Sequence, residues 1–282
     1  MATSATSDQL LVVIDPVARR TDGESVRIAK DVLSAGATTK VCMPEGPEEF
    51  ARALARRGSR RPVVVGDDRA LVRAVSLLHR QRELAGCALS FVPVGGALSV
   101  ARSLGVPTGT VAAARTVLDG VERRLDLLVD DSDGVVLGAL RIPPLYGPTA
   151  PQEVTSVGTR PWLRTCQSLV RTLVPARPAR EPAPPAPGPS RLRVEVDGVT
   201  LVDLGQPVEA VSVTPGASGF AEVEVRPVSV GAEASPLRVS GRTVTVTGTD
   251  FRYRADAGVA GPVRRRTWTV WEGALGLTLP GR

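Results

Sequence analysis

Pro62-Val63-Val64-Val65-Gly66-Asp67-Asp68-Arg69-Ala70 is the stretch on which the fold turns. An apolar run this short, with no polar residue inside it, suits a strand buried on both faces, as in a parallel sheet. It stops at a glycine. From Ala70 to Leu84 the apolar residues then return at helical spacing. Strand, tight turn and helix make one βα unit. The same order recurs downstream, where Leu89 to Val92 runs into Pro93-Val94-Gly95-Gly96-Ala97-Leu98-Ser99-Val100-Ala101-Arg102.

Working outward, the pattern covers the first half of the chain. Leu10 to Ile14, Thr38 to Met43, Cys87 to Val94 and Arg124 to Val129 read as further strands. Glu24 to Leu33 is expected to be a helix ending at Gly36, and Pro47 to Arg57 a helix stopped by Gly58. Ser99 to Leu104 and Thr110 to Leu118 read as short helices. Strands alternating with helices predict a doubly wound α/β domain over residues 8–130. Ligands in such sheets bind where strands end and helices begin, which singles out the turns at Gly66 and Gly95.

The second half changes period. Val135 to Ile142 is a strand candidate and Trp162 to Val174 a helix candidate. The stretch 175–189 is nearly all Pro, Ala and Arg, which predicts an extended loop. Beyond it polar and apolar residues alternate, first in Leu192 to Val196, which ends at the turn pair Asp197-Gly198. Val208 to Val213, Ala221 to Val225, Thr243 to Thr247, Phe251 to Ala255, Thr267 to Val270 and Leu275 to Leu279 continue the theme. Residues 131–282 are therefore expected to form an antiparallel β-sandwich.

Composition narrows the partners. Of 282 residues, 43% are hydrophobic and only 3% aromatic, so the core must rest on Val, Leu and Ala. The net charge of +6 favours anionic partners. Nucleic acid is excluded as the first choice, because few aromatics could stack on bases and no recognition motif stands out. Cys42, Cys87 and Cys166 are scattered and odd in number, which predicts buried free thiols rather than a disulfide framework. The single histidine, His79, is expected to be structural, and no metal site is expected. No apolar run is long enough to span a membrane, and the polar start of the chain lacks the pattern of a signal peptide. A cytoplasmic protein that touches the inner membrane face is expected. Arg264-Arg265-Arg266 beside Trp268 and Trp271 would suit anionic headgroups.

The two turns resemble those of the diacylglycerol kinase and sphingosine kinase family of lipid kinases. That family carries GGDGT at the first turn and PxGTxNDxAR at the second. Gly66 and Asp68 match the first pattern, and Gly95, Ala101 and Arg102 the second. The resemblance extends to Pro16 of an NPxSG-type loop, to Asp126 of an "iDL" strand and to Asp256 of a DGE segment. It implies an α/β domain of the NAD kinase and diacylglycerol kinase type, followed by a β-sandwich whose last strand returns to the first domain. It implies transfer of a phosphoryl group from ATP, with Mg²⁺, to a lipid hydroxyl. Asp68 and Asp256 would be the catalytic carboxylates. Pro16, Arg19, Gly66, Gly95, Gly96 and Arg102 would line the nucleotide site. A lipid substrate or anionic membrane surface would be the partner, and a homodimer is expected.

The motifs are also damaged. Asp67 and Arg69 stand where GGDGT has glycine, Asp15 replaces the Asn of the first loop, and Leu98 and Ser99 replace Asn and Asp. Gly258 occupies the position of the DGE glutamate. Loss of a general base costs about 10²–10⁴ in rate, and loss of glycines hinders close approach to phosphate. Two expectations follow: a lipid kinase with weak or lost activity, or a non-catalytic pseudokinase that binds nucleotide, lipid surface or protein. At the structural level, Asp68 is expected to cap the helix that starts at Ala70, and Ser99 the helix that follows it.

Overall fold

A computed structural model of the chain describes residues 9–144, 189–228 and 235–281. The expected helix at Trp162 to Val174, the Pro-rich stretch up to Gly188, and Cys166 lie outside the described residues. The elements are β1 (Leu10–Ile14), α1 (Pro16–Thr21), α2 (Gly23–Gly36), β2 (Thr39–Cys42), α3 (Pro47–Ala55), β3 (Arg61–Gly66), α4 (Asp68–Arg80), β4 (Ala88–Pro93), α5 (Ser99–Ser103), α6 (Thr110–Asp119) and β5 (Val121–Asp130). Then follow β6 (Val135–Val136), β7 (Leu140–Ile142), β8 (Ser190–Val196), β9 (Val199–Val202), β10 (Pro207–Pro215), β11 (Ala221–Pro227), β12 (Leu237–Gly241), β13 (Thr243–Ala255) and β14 (Gly258–Leu279).

The first part is a parallel sheet in the order β4-β3-β1-β2. Its strands are apolar on both sides because helices cover both faces. Leu11, Val13 and Val64 pack with Phe50 and Leu54 of α3 and with the inner side of α4. Leu10, Val12, Val63 and Val65 pack against Val26, Ala29 and Leu33 of α2 and Ala113 and Val117 of α6. Where the resemblance implies an NPxSG-type loop, the structure has the short helix α1: Asp15 caps the turn and Pro16 opens it with a preset φ.

The second part is strand-rich and antiparallel. Its interior is Val194, Val211, Val213, Val223, Val244, Val246 and Trp268. The turn at Asp197-Gly198 forms as its sequence predicts, with both residues at positive φ (49° and 82°). Thr243 to Thr247 and Phe251 to Ala255 are one strand with a register shift between them, not two. Thr267 to Val270 and Leu275 to Leu279 likewise merge into β14. β14 pairs with β13, with β5 and, through Gly276 and Leu277, with β4 of the parallel sheet. Leu275, Leu277 and Leu279 are buried in the same core as Leu89 and Phe91. The strand expected from Val135 to Ile142 is interrupted at residues 137–139, where the backbone N–H groups turn to a side chain instead of a neighbouring strand.

Candidate functional site

Carboxylates cap the helices at the carboxyl edge of the parallel sheet. The Asp15 side chain accepts from Val17 N at the start of α1 (3.0 Å) and receives Arg73 of α4 on its other oxygen (2.8 Å). Asp22 caps α2 through Ser25 N (3.1 Å). Asp67, not Asp68, caps α4 through Ala70 N (3.1 Å). The expected cap at Asp68 is thus displaced by one residue, because Asp67 takes the extended conformation a cap needs (φ −87°, ψ −178°). Burial raises the pKa of Asp67 above the ordinary carboxylate value, and the nearby charge of Asp15 adds to the rise; hydrogen bonds from Ala70 and Arg69 oppose it.

Asp68 points the other way, into the protein, and is 1% exposed. Its carboxylate accepts from Val100 N (2.8 Å), Ala101 N (3.0 Å) and Ser99 Oγ (3.1 Å). It therefore caps α5, whose own preceding residue, Leu98, has no side chain that could do so. Ser99, expected to cap that helix, donates to Asp68 instead. The backbone N–H of Asp68 donates to Ala97 O (2.9 Å), so the Gly66 and Gly95 turns are tied together.

Asp256 sits in the β13–β14 turn at φ 49°. Its buried carboxylate accepts from Leu137 N (2.7 Å), Gly138 N (2.7 Å) and Ala139 N (3.1 Å). This is where the N–H groups of the interrupted strand go. Burial raises the Asp256 pKa and the charge of Asp68 adds to it, while the three N–H donors pull it back. Gly138 fits tightly here: a Cβ at that position would lie 3.1 Å from both Asp256 Oδ1 and Ser103 Oγ. Asp68 and Asp256 thus share one buried neighbourhood, each engaged with backbone N–H groups. Gly258 is exposed two residues on and brings no carboxylate.

The remaining candidates divide. Gly66 is buried, and a Cβ there would lie 2.7 Å from Ala70 Cβ and 3.0 Å from Asp15 Cβ. Close packing therefore demands glycine at this position whether or not a ligand does. Gly66→Ala is expected to cost about 1–3 kcal/mol by overpacking, measurable as a lower urea midpoint. Gly95 has φ 118°, which favours glycine, and Gly96 opens onto free space. Pro16 is buried as the first residue of α1. Arg19 turns to Glu45 (3.0 Å). Arg69 and Arg102 are exposed. A cavity of about 320 Å³ lies among α1, Asp22, Asp67 and the turn Val94–Gly96, and among the described residues no Lys or Arg lines it.

Three contributors carried no signal that sequence alone could pair. Arg73 reaches Asp15 from the helix beyond the next strand, and Asp22 joins the cavity from a second cap. Asp126 accepts from Gly219 N and Gly273 N (2.7 Å each), tying β5 to a hairpin and to an irregularity in β14. Elsewhere the basic and aromatic run is not the patch its sequence suggested. Trp268 is 0% exposed, Arg266 is held by Asp131 and Arg264 by Asp250. Trp271 alone of the pair is open, edge-on to the buried His79 at 4.9 Å. Strand alternation separates them. Among the described residues, no group of three or more Asp, Glu, His or Cys could hold a metal ion, and no helix is long and apolar enough to cross a membrane.

Comparison with known proteins places this geometry. Residues 9–129 match the family model of the diacylglycerol kinase catalytic domain. A diacylglycerol kinase structure from Bacillus anthracis superposes with TM-score 0.66 at 12% identity, covering 96% of this chain and 97% of that one. A second Bacillus anthracis structure, described as a candidate diacylglycerol kinase, reaches TM-score 0.69 at 12% identity over 96% and 97% of the two chains. An NAD kinase from Archaeoglobus fulgidus in complex with ATP gives TM-score 0.53 at 14% identity over 97% and 93%. At these identities the structures speak for the fold. No curated protein sequence matches the chain. The catalytic-domain match at residues 9–129 makes that part of the chain similar to the diacylglycerol kinase family of lipid kinases, and the solved structures add a shared fold over nearly the whole chain.

Proposed function

We propose that this chain is a member of that family whose phosphoryl transfer is weak or lost, and whose retained role is binding. The observation that carries the reading is the Asp67 carboxylate on the wall of the cavity at the Gly66 and Gly95 turns. Helix N-termini at such an edge attract phosphate through their free N–H groups. Here α1, α2 and α4 each spend a first-turn N–H on the protein's own carboxylate, Asp15, Asp22 and Asp67. Among the described residues, a triphosphate entering beside Gly95 would meet two carboxylates and no lining cation, an arrangement opposite to the one phosphate needs. The residues present therefore do not fit ATP with Mg²⁺.

The division into residues 8–130 and a second domain at 131–282, the latter a β-sandwich, belongs to the same reading. So does a partner of lipid or anionic membrane character, which the net charge of +6 supports. A working kinase is the second reading. It is favoured by the left-handed Gly95 and the open space at Gly96, the part of a phosphate turn that survives.

Calorimetric titration of the full chain with ATP and Mg²⁺ tests this. The natural protein is expected to show no saturable binding, and Asp67→Gly to bind at least about tenfold more tightly, since a repelling charge is removed beside Gly95. Binding by the natural protein, followed by phosphate transfer to diacylglycerol in vesicles, would restore the working kinase.

A further inference from the structure

A second cavity, lined by a different set of residues, follows from the way the parallel sheet ends. On one face of that sheet the covering helices are α3 and α4, and Phe50 and Leu54 of α3 are buried among β1, β3 and α4. β2 is the outermost strand, joined to β1 alone among the described strands. Its Lys40 and Cys42 face the same side as Leu11 and Val13, their ladder partners. Among the described residues, no helix other than α3 lines that strip. The result is a groove of about 390 Å³ between α3 and β2, a volume in the range of small-molecule sites.

Its lining combines apolar walls with cations. α3 turns a second stripe toward the groove, Glu49, Arg52, Ala53 and Arg56, at the i, i+3, i+4, i+7 spacing of one helix side. Leu11, Cys42, Met43 and Ala53 supply apolar walls, and Met43 is 56% exposed, a large apolar side chain left open to solvent. Lys40, Arg52 and Arg56 supply cations. Among the described residues neither Lys40 nor Arg56 has an ion-pair partner, and Arg52 has only the surface contact with Glu48 at 3.9 Å. The one lining carboxylate, Glu49, accepts from the Glu45 backbone N–H at the start of the helix (2.8 Å), away from Arg56 at its end.

We propose that this groove binds a single-chain amphiphilic anion, such as a monoalkyl phosphate or a fatty carboxylate. The headgroup would sit between Lys40, Arg52 and Arg56, and the chain along Leu11, Cys42, Met43 and Ala53. A second copy is a poorer occupant, because two-fold pairing at this edge would bring two sets of these three cations into one interface. The proposal does not rest on the reading of the cleft.

The test is calorimetry of the full chain with decyl phosphate below its micelle concentration, with inorganic phosphate and decanol as controls. Saturable one-to-one binding is expected for decyl phosphate, with each control weaker by about tenfold or more, because each offers half of the contacts. Arg52→Ala with Arg56→Ala, both exposed, is expected to lower affinity about tenfold through loss of charge-assisted contacts. Ala53→Phe, which fills the groove, should abolish binding, with circular dichroism reporting that the fold is intact. If either variant fails to fold, Lys40→Ala serves in its place. No binding by the natural protein, or equal binding by the charge and filled-groove variants, would overturn the proposal. So would a probe-free dimer in sedimentation that Met43→Lys dissociates, since a second copy would then be the occupant.

Discussion

Asp256→Ala is expected to unfold the protein at markedly lower urea, by about 3–5 kcal/mol or more, because it strands buried N–H donors that cost about 1–3 kcal/mol each when unsatisfied. The donors are Leu137, Gly138 and Ala139, and all three converge on the one carboxylate. A catalytic carboxylate facing a cleft would behave differently, since its removal would harm turnover and spare stability. The pH dependence gives a second readout. Burial holds the folded pKa of Asp256 above its unfolded value, with the charge of Asp68 adding to the rise. Its titration therefore favours the folded state most below the ordinary carboxylate range, and that contribution is lost as pH rises through the raised pKa. Asp256→Asn removes this titration, so its stability should lose that slope while the natural protein keeps it. A small loss in Asp256→Ala, with a normal urea midpoint, would defeat the structural role and return the residue to the chemistry.

Trp268→Ala should cost a similar amount, about 3–5 kcal/mol, for a large side chain cut from a packed core. Trp268 is fully buried and meets the Tyr253 ring edge-on at 5.2 Å. Trp268→Phe should be far milder. The indole Nε1 is buried with no hydrogen-bond partner among the described residues, so replacing it forfeits no bond there and removes an unsatisfied donor. Urea unfolding of both variants checks the ordering. Equal losses would mean that the indole N–H is satisfied after all.

These residues also show where the sequence could be read and where it could not. Apolar runs such as Leu10 to Ile14 and Pro62 to Val65 declare buried parallel strands because burial on both faces leaves no room for polar residues. Alternation in β8 and β11 declares sheets with one inner face. Local periodicity does not say which strand a carboxylate will meet. Asp67 and Asp68 are adjacent, yet one caps its own helix and the other caps α5 about thirty residues on, because consecutive side chains leave the turn in opposite directions. The match at Asp256 located a residue but not its partners, which lie far back in the chain at 137–139. Trp268 and Trp271 looked alike in sequence; an alternation that one residue of strand irregularity can shift decides which is core.

The pairing of Gly276 and Leu277 with β4 has a consequence for how the molecule comes into being. As the chain is synthesised, the parallel sheet can assemble from β1 to β4 early, but the flank of β4 stays open until residues near the end emerge. Leu89 and Phe91 lack their Leu275, Leu277 and Leu279 neighbours throughout that interval. An unpaired apolar edge is a template for misassociation. Folding yield, more than final stability, should therefore be the property most sensitive to shortening of the last strand.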